Sequence, residues 1–426
     1  MKRGLVWFTE DLRVDDNETL LKAIEENEEV LPIYFLPDTR LEQLDIPRIG
    51  NTRMTFIKES LNNLRAQLQQ IGGDLLVVEG SAEAHIAGLC KLYNIRKVYT
   101  KKQVGSEEKL AQLSVKQQLL GLGIDFETYS TSTLFHPDDL PFSVRDIPML
   151  FTKFRKLAEK ESVVREPFDA PRQFTSPPMD SSPFTSETSS HSVWLHGGEI
   201  EAQKRMMHFI WEGQAIRTYK ETRDQLAGLD FSSKFSAWLS QGCISPRRIY
   251  SEIKRFEREV VANESTYWVI FELLWRDFFR FSFKKYPNAY FQLHGLGQQA
   301  RYTDFDKTKF EAWTQGKTSD ALINAGMNEL RETGFVSNRM RQILASYWVF
   351  GMQQDWRYGA AWFEYCLLDY DVASNWGNWA YIAGVGNDNR GGREFNVEKQ
   401  ALLYDKDGSY RALWGTNLGT KWCNKI

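Results

Sequence analysis

The chain has 426 residues, of which 42% are hydrophobic and 26% charged, a length and composition that suit two domains with large cores. Its formal net charge of −3 excludes a molecule that is basic overall, so any contact with nucleic acid would need a local basic patch. No apolar run is long enough to span a membrane, and neither a secretion signal nor a CxxC pair is present, which predicts a cytoplasmic protein with reduced thiols and no metal site.

The first part of the chain alternates short apolar runs with amphipathic ones. Strands are predicted at 5–8, 31–36, 75–79, 97–100 and 125–129, and helices at 17–27, 51–70, 82–93 and 106–120. This alternation is typical of a doubly wound, mostly parallel sheet. No GxGxxG follows a strand and no P-loop occurs, so classical dinucleotide or ATP binding is not predicted here. We predict an α/β domain over residues 1–130.

The second part of the chain has a different composition. Residues 165–192 are rich in Pro, Ser and Thr without a hydrophobic period, which predicts an inter-domain linker over 131–197. Helical spacing then dominates, with helices predicted at 245–261, 265–286, 318–332, 338–353 and 357–368. Of the 14 tryptophans, 13 follow residue 193. The predicted fold class is therefore α/β plus all-α, with a helical domain over 198–426.

The segment 369–384, DYDVASNWGNWAYIAG, is the most informative of the chain. It combines acids, amides and large aromatics, and so many polar groups are costly to bury without partners. The mixture suits a pocket for a large, flat, polar ligand, with rings that stack on it and amides that bind its edge. We infer a flavin-sized site. Trp379 and Trp356 are candidate redox residues, although most tryptophans in helical domains serve only in packing.

Three further groups of residues carry possible chemistry. The segment from Ser232 to Ser236 opens a helix with hydroxyls and one ammonium, which suits a phosphate, although a capped helix start explains it equally. Glu272 and Trp275 share one helical face, where a carboxylate and an indole could bind and stack on a base. Alternatively, Trp275 belongs to the core and Glu272 pairs with a cation such as Arg276. Arg341 is predicted to pair with Asp369.

Six co-linear segments resemble the photolyase/cryptochrome family, among them SSKFSAWLSQGCISPR, ELLWRDFFRF and LLDYDVASNWGNWAY. Their residues most resemble those of its DASH cryptochrome branch. The match runs from residue 4 to about 414. It implies FAD held in the helical domain and blue-light chemistry on pyrimidine dimers. On matching positions, the residues implied to hold FAD are Tyr219, Ser232, Ser233, Lys234, Phe235, Ser236, Arg276, Asn338, Arg341, Asp369, Asp371 and Asn375.

The resemblance also implies a second set of residues, here named the lesion pocket: Glu272, Trp275, Gln342, Trp376 and Tyr381. Catalytic roles are implied for Glu272, for Asn375, which would face flavin N5, and for Trp379 and Trp356 as the proximal and middle members of an electron relay. Tyr381 stands where duplex-repairing relatives usually have tryptophan. A smaller stacking surface offsets less of the cost of flipping a dimer out of a duplex, which implies a preference for single-stranded DNA.

Several positions depart from the family pattern, and two of them bear on the relay and the antenna. The distal relay position is Thr303, with Tyr302 beside it as a possible substitute. Gln103 stands where the DASH antenna pocket is expected to present an acid. A neutral amide is a weaker partner for the amino-pyrimidine of a folate, so poor or absent binding of a methenyltetrahydrofolate antenna is predicted.

Three functions are compatible with these observations. The first is a light-driven lyase that splits cyclobutane pyrimidine dimers, mainly in single-stranded DNA. The second is a blue-light photoreceptor with a signalling role and little repair, and the third is a nucleotide-binding enzyme with a helical lid. The third predicts a phosphate motif after the first strand, which is absent. Retention of Glu272, Trp275, Asn375 and Gln342 favours repair, and we expect a monomer with DNA as its partner.

Overall fold

The computed structural model describes residues 2–40, 42–179, 195–297, 300–388 and 390–415. Its strands are β1 (Arg3–Phe8), β2 (Glu29–Leu36), β3 (Glu42–Gln43), β4 (Ile46–Pro47), β5 (Leu76–Glu79), β6 (Lys97–Lys101) and β7 (Asp125–Tyr129). A parallel five-stranded sheet has the order β5-β2-β1-β6-β7, and β3 and β4 form a small antiparallel pair. The predicted strands of the parallel sheet are confirmed.

Helices cover both faces of the parallel sheet. They are α1 (Glu18–Glu26), α2 (Asn51–Gln70), α3 (Ala82–Leu92) and α4 (Ser106–Leu120). In β1, Leu5 and Trp7 pack into the core beneath α3 and α4, whereas Val6 and Phe8 pack into the core on the opposite face. This alternation follows from the two-residue period of a strand. The predicted doubly wound α/β architecture is confirmed.

The rest of the described chain is helical. The helices are α5 (Phe151–Glu161), α6 (Glu199–Met207), α7 (Tyr219–Thr222), α8 (Ser236–Gln241), α9 (Pro246–Glu259), α10 (Glu264–Lys285), α11 (Lys307–Thr314), α12 (Ala321–Thr333), α13 (Asn338–Ser346), α14 (Trp356–Cys366), α15 (Val372–Ala383), α16 (Val397–Tyr404) and α17 (Ser409–Trp414). The helix predicted at 338–353 is α13 followed by one π-helical turn at Tyr347–Gly351. None of the helices in the described ranges combines the length and apolar character needed to cross a lipid bilayer.

The stretch predicted as a linker contains a helix that the sequence pattern did not predict. Helix α5 packs on α10, where Phe151 stacks on Trp275 with ring centroids 3.7 Å apart and Phe154 contacts Phe278 at 5.4 Å. The sequence pattern did not predict α5 for two reasons. The helix stands alone between irregular segments, and only three of its residues are buried: Phe151, Phe154 and Ala158. Residues 180–194, which include much of the Pro-, Ser- and Thr-rich stretch 165–192, lie outside the described residues.

Buried polar contacts join the sheet part to the helical part. Arg13 donates to the carbonyl oxygens of Gly242 and Thr131, and Asp16 forms an ion pair with Arg247 of α9. Both Asp16 and Arg247 are buried, and breaking such a pair leaves an uncompensated charge. The N-terminal segment that follows β1 therefore holds the two parts in one arrangement.

Candidate functional site

Helix α15 is the central element of the predicted site. Asp371 caps its start, because the Asp371 carboxylate accepts a hydrogen bond from the Ser374 N–H at 2.9 Å. It ends at Gly384, whose φ of 79° is left-handed and therefore favours glycine. Between these ends, α15 packs against α10, α13 and α14. The segment that the sequence singled out is thus a helix inside the helical part.

Two acid–arginine pairs lie at the start of α15. Arg341 Nη2 donates to Asp369 Oδ2 at 2.9 Å, so the predicted ion pair is confirmed. Asp371 pairs with Arg280 of α10. Burial alone would raise the pKa of Asp371, but the guanidinium groups of Arg280 and Arg276 lower it to about 2. Both carboxylates are therefore held in place beside positive charge.

Polar atoms that still lack a hydrogen-bond partner decide whether these residues fit a flavin. Among the described residues, the buried Asp369 Oδ1 has no hydrogen-bond partner. A buried carboxylate oxygen in that position is costly unless another group donates to it. The Asn375 amide, one helical turn after the Asp371 cap, donates to the Ala360 carbonyl at 3.0 Å, which fixes its plane. An acceptor and an oriented amide on adjacent segments fit the polar edge of a flavin.

The helix start predicted to bind phosphate is more buried than expected. Ser232 and Ser233 are half-buried, and Ser236 is exposed at the start of α8. Lys234 is buried with its Nζ 3.4 Å from the centroid of the Phe231 ring, and burial lowers its pKa well below the usual value. Phe235 is also buried, and its ring contacts that of Phe209 at 5.6 Å. The hydroxyls, rather than the ammonium, are the accessible groups here.

The other residues predicted to hold FAD differ in their exposure. Tyr219 is buried, and its ring meets that of Phe209 edge-on at 5.9 Å. Asn338 is exposed at the start of α13. Arg276 donates to the carbonyl oxygens of Ser132 and Leu239, so its guanidinium links the segment after β7 to α8. Arg280, one helical turn later, is the arginine that pairs with Asp371.

The lesion-pocket residues Trp275 and Tyr381 lie together. Their ring centroids are 5.7 Å apart in an edge-on arrangement, and Phe151 stacks on the Trp275 ring. Trp275 and Tyr381 are both half-buried, so part of each ring faces outward. The Tyr381 hydroxyl accepts a hydrogen bond from Arg393 Nη2, which fixes the ring in place. Helices α10 and α15 therefore form an aromatic wall.

Arginine also contacts the polar members of the lesion pocket. Arg223 Nη1 donates to Glu272 at 2.9 Å, so Glu272 does pair with a cation, as the alternative prediction held, but that cation is Arg223 and not Arg276. Burial raises the pKa of Glu272, and the Arg223 guanidinium opposes this rise. Arg339 Nη1 donates to Gln342 Oε1 at 3.2 Å. Sequence reasoning missed Arg223, because it lies 49 residues before Glu272 in the chain.

Trp376 does not belong to the surface of this pocket. Its side chain is fully buried, and its indole Nε1 donates to Glu364 Oε2 at 3.0 Å. The ring also meets those of Phe291 at 5.0 Å and Trp356 at 5.8 Å. The prediction that Trp376 binds substrate is therefore wrong, because α15 turns this position inward toward α14.

The candidate redox residues fall into two aromatic groups. Trp379 contacts Trp313 at 6.2 Å, and Trp313 contacts Trp348 at 5.0 Å. Trp356 contacts Trp376 instead, and its indole Nε1 donates to the Leu293 carbonyl. Among the described residues, no ring contact joins Trp379 directly to Trp356. Tyr302, the suggested substitute for the distal relay residue, contacts Phe350 at 6.3 Å.

Gln103 lies in the sheet part of the molecule, away from α15. It is buried, and its Nε2 donates to Glu10 Oε2 at 3.0 Å, while Glu10 also pairs with Lys101. Burial and the nearby Glu10 raise the pKa of Glu108 to about 7. A surface cavity of about 390 Å³ lies elsewhere and shares no residue with the predicted sites; it is lined by Thr314, Gln315, Lys317, Arg331 and Trp362.

Comparison with known proteins identifies the family. Residues 4–172 match the DNA photolyase family, and residues 268–420 match the FAD binding domain of DNA photolyase. The chain is 43% identical to Cryptochrome DASH of Synechocystis sp. over 96% of this chain and 86% of that protein. It is 42% identical to Cryptochrome DASH of Arabidopsis thaliana over 96% of this chain and 75% of that protein.

Solved structures similar to this chain are also those of a cryptochrome and a photolyase. The crystal structure of Synechocystis sp. cryptochrome aligns with a TM-score of 0.90 and 43% identity, covering 97% of this chain and 88% of that one. A class III photolyase from Agrobacterium tumefaciens aligns with a TM-score of 0.83 and 27% identity, covering 97% of this chain and 86% of that one. FAD is thus the cofactor of the helical domain, as the sequence predicted. The chain belongs to the photolyase/cryptochrome family and, within it, to the DASH cryptochromes.

Proposed function

We propose that the chain is a blue-light-dependent flavoprotein that splits cyclobutane pyrimidine dimers, preferentially in single-stranded DNA. The observation that carries this proposal is the aromatic wall of Trp275 and Tyr381, with Glu272 one turn before Trp275 on α10. Asn375 lies on α15 with Tyr381. Helix α15, which contributes Tyr381 to the aromatic wall, therefore also carries the Asn375 amide that is proposed to face the flavin.

FAD, when bound and reduced, supplies the electron that light transfers into the dimer. The proposed binding residues are the Arg341–Asp369 pair, Asp371, Asn375 and Arg276, with Tyr219, Asn338 and the segment from Ser232 to Ser236 around the rest of the cofactor. The unpartnered Asp369 Oδ1 supports this arrangement, since a flavin donor would satisfy it. The proposed domains are residues 1–130 and 198–426, joined by 131–197.

Substrate binding is proposed to use stacking and hydrogen bonds together. Stacking of a base on an aromatic side chain contributes about 1–3 kcal/mol. Glu272, whose pKa is raised by burial, reaches its hydrogen-bond-donating acid form at a higher pH than a free glutamic acid does. Its carboxyl group is proposed to bind the edge of a base while Trp275 and Tyr381 stack on the dimer.

Three arginines border the lesion pocket, in a chain whose net charge of −3 gives no general attraction to DNA. Arg223, Arg339 and Arg393 bond to Glu272, Gln342 and Tyr381, respectively. Each of these arginines is also paired with an acid, so the three pairs carry no net charge and the patch that they form is weak. A weak patch and a tyrosine wall support the proposed preference for single strands, where no base pairs have to be opened.

The test compares repair of one dimer-containing oligonucleotide as a single strand and as a duplex, with chemically reduced protein at one salt concentration. The single strand should be repaired faster, with no reaction in the dark. Tyr381→Trp should reduce the difference in repair rate between single strand and duplex. Stacking on the larger ring offsets more of the free energy of flipping the dimer out of a duplex, which is a few kcal/mol. Equal rates on both substrates would refute the preference. Absence of light-driven repair on either would refute the lyase and favour the photoreceptor alternative.

A further inference from the structure

The buried contact between Trp376 and Glu364 has no role in the function proposed above. Trp376 is 0% exposed and Glu364 is 1% exposed. Trp376 Nε1 donates to Glu364 Oε2 at 3.0 Å, and Arg48 Nε donates to Glu364 Oε1 at 2.7 Å. Arg48 comes from β4–α2 in the sheet part and also pairs with Glu107 of α4. An indole N–H is thus bonded to a carboxylate inside the protein.

This indole is also in contact with the candidate relay. The Trp376 and Trp356 ring centroids are 5.8 Å apart at an interplanar angle of 76°. Trp376 and Trp379 lie three residues apart on α15, which places them on one side of that helix. Trp376 is therefore positioned to exchange an electron with Trp356, and Thr303, at the family's distal position, is not needed for this contact.

The tryptophans differ in how well they can hold positive charge. The N–H groups of Trp356 and Trp348 donate to the neutral carbonyl oxygens of Leu293 and Asp355. The buried Trp313 Nε1 has no partner among the described residues. Trp376 is bonded to a carboxylate, whose negative charge is partly offset by the Arg48 guanidinium but still favours an oxidised, cationic indole more than a neutral carbonyl does. Among these four rings, Trp376 is the most favourable place for the missing electron.

We propose that Trp376 is the terminal electron donor of the relay and that Glu364 accepts its indole proton. This rests on the light-driven flavin chemistry proposed above. Once Trp356 has passed an electron to Trp379, across the gap between their rings, Trp376 returns one to Trp356. The Trp376 N–H bond then breaks, its proton forms an O–H bond on Glu364 Oε2, and a neutral indolyl radical remains. An external thiolate then gives one electron to this buried radical through the protein and becomes a thiyl radical, while the O–H bond on Glu364 Oε2 breaks and its proton returns to the indole nitrogen, which restores the starting state.

The proton transfer gives the relay a direction. A neutral radical beside a protonated carboxyl group no longer attracts an electron as an indole cation does, so the return of the electron from the relay is slowed. Arg48 holds the carboxyl group in place from the other side. Arg48 is thus a positioning residue, contributed by the sheet part, for a step in the helical part.

The first test measures light-driven flavin reduction with an external thiol in Trp376→Phe, Glu364→Gln and the matched control Trp348→Phe. Trp348 is equally buried and equally an indole, but its N–H meets a neutral carbonyl. Glu364→Gln keeps the size and removes the charge; the rate should fall about tenfold, as expected when a hydrogen bond to a charged group becomes one to a neutral group. The rate of flavin reduction in Trp376→Phe should fall at least as far, and the rate in Trp348→Phe should equal that of the wild type.

The second test has readouts other than photoreduction. In the dark, the ¹⁵N–¹H indole resonance of Trp376, assigned by its loss in Trp376→Phe, should move in Glu364→Gln. After a light pulse, the transient spectrum should be that of a neutral indolyl radical in the wild type and of an indole radical cation in Glu364→Gln. These readouts separate a chemical role of Glu364 from a merely structural one.

Several outcomes would overturn the proposal. If flavin reduction were slow in Trp348→Phe and as fast as the wild type in Trp376→Phe, the relay would run through Trp313 and Trp348 instead. A wild-type rate in Glu364→Gln, or an unmoved Trp376 resonance, would remove the proton acceptor. Repair by chemically reduced wild-type protein tests the proposed function separately, because that reaction does not need the relay. A failure there would leave the relay measurements interpretable.

Discussion

Asp369→Asn is expected to weaken FAD binding by about tenfold to a hundredfold. The Asp369 side chain is 0% exposed; its Oδ2 is 2.9 Å from Arg341 Nη2, and its Oδ1 has no partner among the described residues. Asparagine keeps the size and one oxygen but removes the charge and presents N–H donors. One hydrogen bond to a charged group contributes about 1.5–3 kcal/mol, and every 1.4 kcal/mol corresponds to about a tenfold change in Kd.

The assay is a titration of FAD into flavin-free protein, followed by the quenching of flavin fluorescence. Asp355→Asn is the matched control, because Asp355 is also a buried acid, with a side chain 2% exposed and 2.7 Å from Arg357, but it lies outside the predicted site. Circular dichroism establishes that both variants are folded. If both bind FAD as the wild type does, or if both lose affinity equally, the assignment of Asp369 to the flavin site is refuted.

Three further predictions test other parts of the molecule. Trp379→Phe should retain FAD, visible in its absorption bands, but its light-driven reduction should slow sharply, because phenylalanine fills a similar space and is far harder to oxidise; a wild-type rate would contradict the proximal role. Gln103→Glu should improve binding of methenyltetrahydrofolate, detected by its near-ultraviolet absorption, and stoichiometric folate in the wild type would show that the amide is no obstacle. Burial raises the pKa of Glu329 from 4.5 to about 8, so the folded state holds an extra proton between these values and the free energy of unfolding falls as the pH rises through them. The slope for one proton is at most about 1.4 kcal/mol per pH unit. Glu329→Gln cannot ionise, so its Tm should fall less than that of the wild type between about pH 5 and about pH 8; equal falls would contradict the assignment.

The secondary structure and the family were accessible from the sequence because both are local or co-linear properties. The strands are identified by apolar runs between amphipathic segments, and the predicted helices 51–70 and 106–120 coincide with α2 and α4. The segment 369–384 combined acids, amides and rings that a core or a loop would not carry together. The Arg341–Asp369 pair, which spans 28 residues, was predicted from opposite charges in two neighbouring polar, aromatic segments, and the structure confirms it.

The surroundings of individual side chains depended on how the helices pack. Trp376 is in the same motif as Trp379 and Tyr381, and only the approach of α14 shows that it faces Glu364 instead of a substrate. Arg280 is one helical turn from Arg276, and the position of α15 decides which of the two meets Asp371. Spacing along one helix identifies residues on a common face, but it does not identify the partner of that face.

The sequence by itself determined the fold class, the order of the strands and helices in the sheet part, the family and the flavin cofactor, because periodicity and co-linear motifs are carried by neighbouring residues. Only the tertiary structure decided which charged and aromatic groups meet. Arg48 and Glu364 are separated by 316 residues and lie in different parts of the molecule, yet they form one ion pair beside Trp376. Such contacts depend on the relative positions of packed helices and of the two parts, and no local pattern in the chain encodes those positions.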